Sequence, residues 1–236
     1  TENDYKVGYG YSNTIIPVVA GEKVYFRTSG LSTSTDKGIG KFTISDGKCN
    51  VGGNIMSMTY GDDFVGKTKI STRYQFVGLF KSCVGIVNAI NLFLPATTLA
   101  EYCYYSMFEG CTNLTTAPAL PAITLANYCY YGMFSGCTSL TAAPALPATT
   151  LADFCYSNMF SGCTSLTTAP DLPATKLKYY CYGDMFRRCN SLTAAPELPA
   201  TTLARYCYEN MFSGCNSLAT APDLPATTLA DSCYLR

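Results

Sequence analysis

The chain has 236 residues, of which 48% are hydrophobic and only 14% charged, against roughly 25% charged in an average soluble protein. Sixteen Lys and Arg balance sixteen Asp and Glu, so the net charge is zero and nothing suggests a polyanion partner such as nucleic acid. Histidine is absent, which removes the commonest general base and the usual partner of a nucleophilic Ser or Cys, and no phosphate-cradling glycine motif appears.

Residues 1–60 read as a β-rich N-terminal cap. The opening Thr1-Glu2-Asn3-Asp4 is polar and does not read as a signal peptide, as expected of a mature or trimmed piece. Thr14 to Val19 and Lys23 to Thr28 are β-branched and aromatic runs joined by Ala20-Gly21-Glu22, which predicts a hairpin. Ser29 to Gly38 reads as a loop, and Lys41 to Ile44 and Asn54 to Met58 as further strands. The longest apolar run, Val84 to Ala96, is broken by asparagines and is shorter than the roughly 20 residues a bilayer requires. No transmembrane segment is expected in this chain, and any anchor lies outside it.

Residues 61–93 form a degenerate first coil. Phe80, Cys83, Ile86 and Ala89 match Phe108, Cys111, Leu114 and Ala117, after which two extra residues precede Leu94. From 94 to 236 a 26-residue phrase recurs, with Leu-Pro-Ala at Leu94, Leu120, Leu146, Leu172, Leu198 and Leu224. A fixed period in the range of about 20–50 residues is the mark of a solenoid, in which each unit buries its apolar face on the next. Inside a unit, Thr98 and Glu101 have capping-box spacing, and Leu99, Tyr102, Cys103 and Met107 fall on one helical face, with Gly110 as the stop. These predict one short helical segment per unit. The following Leu and Ala predict one short parallel strand, ended by Pro118, Pro144, Pro170, Pro196 and Pro222. The last unit is incomplete and lacks a polar cap, which suits end-to-end self-association through the C-terminus.

The phrase Met-Phe-Ser-Gly-Cys-Thr-Ser-Leu, then Pro and a return to Leu-Pro-Ala-Thr-Thr-Leu, resembles the BspA-like leucine-rich repeats of bacterial surface proteins. Phe108, Cys111 and Leu114 take that family's Phe, Cys and Leu places, while Cys103 stands where the family has Ile. The likeness covers roughly residues 76 to 236. It implies an α/β solenoid, a right-handed coil of leucine-rich type displayed outside the cell, with adhesion or ligand binding as its role. The units are longer than the family's, and an Ala-Pro strand replaces a β-branched run.

Equal places in successive units become rows in such a coil. Twelve of the thirteen cysteines fall in two rows, starting at Cys83 and Cys103, and Cys49 stands alone. Their spacing lacks close zinc-ligand pairs and no histidine completes a site, so buried thiols rank first, disulfides second and metal last. Tyr104, Tyr130, Tyr156, Tyr182, Tyr208 and Tyr234 form one row, and Tyr102, Tyr128, Tyr180 and Tyr206, with Phe154 in the same place, form another. Aromatics that recur without change read as packing between coils, ahead of a surface stripe that stacks on sugar rings or anchors a protein partner. Tyr105 and Tyr131 give way to Ser157, Gly183 and Glu209, which marks them as exposed aromatics. Asp171, Glu197 and Asp223 share a row on the expected sheet face, as candidate ligand-binding residues or a solvated acidic edge. Lys176, Lys178, Arg187 and Arg188 in the fourth unit read as scattered surface charge, ahead of a local basic patch, and Asn113 opens a glycosylation sequon that carries little weight given the bacterial origin the resemblance implies.

No catalytic, cofactor or metal-binding residue is assigned. The expected function is a non-enzymatic extracellular binding or adhesion module for protein or glycan, with a structural spacer in a larger surface protein as the alternative.

Overall fold

The computed structural model describes residues 41–44 and 47–235, so the hairpin read at Thr14 to Thr28 and the loop after it lie outside the described residues. Strand β1, Cys49–Asn54, pairs in parallel with β2, Ile86–Phe93. Between them lie helix α1, Ser57–Tyr60, and a 3-10 turn, Gly61–Phe64. The strand read at Asn54 to Met58 is corrected: Asn54 ends β1. Its Oδ1 accepts the Met56 N–H at 2.9 Å and its carbonyl accepts the Ser57 hydroxyl at 2.8 Å, a local turn that competes with the ladder. Lys41 to Ile44 forms no strand, although the Phe42 N–H reaches the Leu79 carbonyl at 2.7 Å.

The repeats lie over one another in register. Phe108 stacks on Phe134, Phe134 on Phe160 and Phe160 on Phe186, at 5.6–5.7 Å between centroids. The first coil is offset by 28 residues instead of 26: Phe80 stacks on Phe108 and Phe76 on Tyr104. Parallel bridges link Lys69, Thr98, Thr124 and Thr150 along one row, and join Asn88 to Thr116 and Ala142 to Thr168 along another. The expected strand per unit is thus reduced to single bridges. Among the described residues, β2 is the longest strand, at eight residues.

The expected helix per unit is absent among the described residues. In its place runs a chain of tight turns. Tyr102, Ser106 and Gly110 all have positive φ, as do Tyr128, Gly132 and Gly136 one unit later. Alternate N–H groups then divide their work. Those of Cys103, Tyr105, Met107, Glu109 and Cys111 donate three residues back. Those of Tyr102, Tyr104, Ser106, Phe108 and Gly110 donate 25 residues forward, to Asn127, Cys129, Tyr131, Met133 and Ser135, at 2.8–3.1 Å. Beyond its first turn, an α-helix keeps every N–H inside its own segment. Here half leave the coil and fasten it to the next, so neighbouring units satisfy each other's backbone.

The four-residue rhythm turns Cys103, Tyr104, Met107, Phe108 and Cys111 inward, all with 0% exposure. It leaves positions 101, 102, 105, 109 and 110 half-buried on the outer side. No helix among the described residues is long and apolar enough to cross a membrane.

Candidate binding surface

The outer side of the turn chain carries a strip of aromatic rings. Tyr74, Tyr102, Tyr128 and Phe154 stack in sequence at 4.7, 4.7 and 4.4 Å. Tyr105 and Tyr131, expected to be exposed, are half-buried and lie parallel at 4.8 Å. They rest against Tyr102 and Tyr128, each pair 5.9 Å apart. Partial burial raises the Tyr105 and Tyr131 hydroxyl pKa values, and nearby Glu109 and Tyr105, respectively, raise them further. Stacked rings cover each other's faces. What the row offers outward is edges and hydroxyls.

The strip is broken in the fourth unit. There Tyr180 leaves the stack, tilted 31° to Phe154, and its hydroxyl donates to the Asp184 carboxylate. Burial, then the bond to Asp184, pushes the Tyr180 pKa well up. Tyr179 fills the place, edge-on to Phe154 at 5.1 Å and to Tyr206 at 5.8 Å. Asp184 is only 7% exposed and faces the Arg187 guanidinium at 3.7 Å. Close by, Asn158 Nδ2 donates to the Tyr131 hydroxyl at 3.2 Å. The rearrangement depends on Gly183, because any Cβ there would overlap the Tyr180 ring. Gly183→Ala is therefore expected to return Tyr180 to the stack, strip Asp184 of its donor and cost about 1–3 kcal/mol in urea unfolding. Tyr180→Phe should cost a similar amount, and the double variant should fall well short of the sum. Additive costs would show that Gly183 acts elsewhere. Sequence reading placed Tyr180 in the row of Tyr102, Tyr128 and Tyr206 but did not pick out Tyr179 or Asp184. The signal was Lys-Tyr-Tyr-Cys-Tyr-Gly-Asp standing where the third unit has Ala-Asp-Phe-Cys-Tyr-Ser-Asn.

Asp171, Glu197 and Asp223 are exposed and lie in irregular chain, with no bridge at their row among the described residues. Asp171 sits beside Ala145, Leu146, Pro147 and Pro173 in a shallow depression. The sheet face expected beneath these three acids is not a continuous sheet.

All thirteen cysteines are free. One row is fixed by hydrogen bonds: the Cys111, Cys137, Cys163, Cys189 and Cys215 thiols donate at 3.0–3.1 Å to the carbonyls of Phe80, Phe108, Phe134, Phe160 and Phe186, one coil earlier. Burial raises the pKa values of Cys111 and Cys163 to about 12, and that of Cys207 to about 11. The invariant tyrosines stack inside at 5.5–6.0 Å, and the Tyr104 and Tyr130 hydroxyls have no hydrogen-bond partner among the described residues. Among the described residues, no three His, Cys, Asp or Glu side chains gather as a metal-binding group. Comparison with protein-family models, with curated proteins and with solved structures finds no match to this chain.

Proposed function

We propose that this chain is a non-enzymatic binding module of a bacterial surface, a right-handed coil of the BspA-like leucine-rich kind whose outer tyrosine strip engages a protein ligand outside the cell. The observation that carries this reading is the row from Tyr74 to Phe154 with Tyr105 and Tyr131 alongside. Tyrosine offers large amphipathic area for little side-chain entropy, and here neighbouring rings already hold each one in place. Protein is favoured over glycan because a sugar stacks on a ring face, and these faces are taken. The resemblance of the repeated phrase to bacterial surface repeats supports the extracellular setting, and repetition lets weak contacts add.

The test uses a panel of immobilised extracellular-matrix proteins together with a glycan array. The wild-type chain is expected to bind at least one protein. Replacing Tyr105 and Tyr131 together by Ser, the residue at position 157 of the same row, is expected to weaken that binding about tenfold or more. Binding to glycans alone, or binding indifferent to the double replacement, overturns the reading. Silence on both panels favours the spacer.

A further inference from the structure

Four of the sixteen Lys and Arg side chains fall within residues 176–188: Lys176, Lys178, Arg187 and Arg188. The third and fifth units have Thr150 and Thr202, Ala152 and Ala204, Ser161 and Ser213, Gly162 and Gly214 at these places. All four cations are exposed. Arg188 is also strained, because its φ is +60° where Gly162 and Gly214 have +74° and +79°. A left-handed backbone is less favourable for a residue with a Cβ than for glycine.

The fold sets these charges along the tyrosine strip. Lys178 precedes Tyr179, a residue 38% exposed, and Arg187 and Arg188 close the same run of turns. Arg205 of the next unit lies over Tyr206 at 4.7 Å, beside Tyr179. At the N-terminal end of the strip, cations meet acids: Arg73 pairs with Glu101 at 2.9 Å and Lys81 with Glu109 at 2.8 Å. The fourth unit differs. Its own strip acid, Asp184, is buried and held by Tyr180 and Arg187, while Asp153 Oδ1 accepts the Tyr179 N–H. Lys178 and Arg188 have no carboxylate within ion-pair distance among the described residues.

We propose that Lys178, Tyr179 and Arg188 form the docking surface for an acidic, carboxylate-rich peptide segment of the protein ligand. This rests on the outer strip being the binding face. Exposed aromatic edge between unpaired cations matches a carboxylate-bearing chain, and complementary charge sets register and partner choice.

The probe is a fluorescein-labelled oligo-glutamate peptide, titrated onto the full chain at low and high salt beside a Gly-Ser peptide of equal length. Oligo-glutamate should bind and Gly-Ser should not, with the difference shrinking in high salt. The variant Lys178→Ala with Arg188→Gly places at both positions the residues of the neighbouring units. It is expected to weaken binding about three- to tenfold at low salt. Arg188→Gly alone should weaken binding while raising the urea midpoint, and these opposite signs exclude damage to the fold. Equal binding of the two peptides, indifference to the double variant, or binding of a sulfated oligosaccharide but not oligo-glutamate each overturns the proposal. If matrix-protein binding survives while oligo-glutamate fails, only the charge assignment falls. Loss of both removes the strip reading as well.

Discussion

Between pH 9 and pH 11 the folded chain is expected to lose most of its stability. The cause is the set of buried thiols. A thiol has an ordinary pKa near 9, and burial raises Cys111 and Cys163 to about 12 and Cys207 to about 11. Burial raises Cys103, Cys129, Cys137, Cys155, Cys181 and Cys189 as well. The protonated thiol is neutral, so the folded state keeps its proton where the unfolded chain has released it. Below about pH 9 both states are protonated and the stabilisation is intact. As pH climbs from about 9 towards about 12, the unfolded chain binds fewer protons and stability falls. Each thiol contributes a slope of about 1.4 kcal/mol per pH unit. Half a dozen remove on the order of 8 kcal/mol per unit, comparable with the whole stability of an ordinary domain. Buried Tyr104, Tyr130, Tyr156 and Tyr182, raised by the same desolvation, add to the slope above about pH 10.

Urea midpoints at successive pH values between 7 and 11 measure this directly. Unfolding is expected near pH 10 without urea, and replacing Cys137 and Cys163 by Ala should flatten the slope by about one proton each. A thiol-specific reagent in denaturant without reductant should count close to thirteen groups. A flat pH profile together with a count near one would mean that the rows are cross-linked, and the account of buried thiols would be wrong.

The rows themselves were legible because the period fixes them. The 26-residue spacing put Phe108 over Phe134 and Tyr104 over Tyr130, and the two extra residues before Leu94 foretold the 28-residue offset of the first coil. The local conformation was not legible. Inward residues at 99, 103 and 107 fit a helix of 3.6 residues per turn almost as well as a turn chain with a four-residue rhythm, and over ten residues the two periods scarcely diverge. Glycine marks a left-handed position openly, as at Gly110 and Gly136, but Tyr102, Tyr128 and Phe154 adopt the same φ with no such sign. What holds them there is the bond to the next coil, a contact 25 residues away. The fourth-unit rearrangement was hidden for a related reason. The variation at Tyr105, Tyr131, Ser157 and Gly183 was visible, but its consequence runs through Tyr180 bending over Gly183 to Asp184.

Phe134→Ala is expected to cost on the order of 4 kcal/mol, and Phe212→Ala less than about 2. Phe134 is 0% exposed and stacked on both faces, at 5.6 Å by Phe108 and 5.7 Å by Phe160. Its removal leaves a cavity that the fixed backbone ladder cannot collapse, and it deletes two ring contacts worth about 0.5–1.5 kcal/mol each. Phe212 is half-buried, and its neighbour in the described row is Phe186, at 5.9 Å. Because each coil touches only its neighbours, damage at residue 134 weakens both junctions of an inner coil and should split the chain into two partly independent blocks. Urea unfolding followed by two probes should then lose coincidence for Phe134→Ala and keep it for Phe212→Ala. Tyr130→Phe supplies the control: it preserves the stack and removes a buried hydroxyl without a partner, so stability should hold or rise by about 1 kcal/mol. Equal costs at residues 134 and 212 would mean that stability is not carried by coil-to-coil packing, since only that packing makes the inner ring more costly to remove than the outer one.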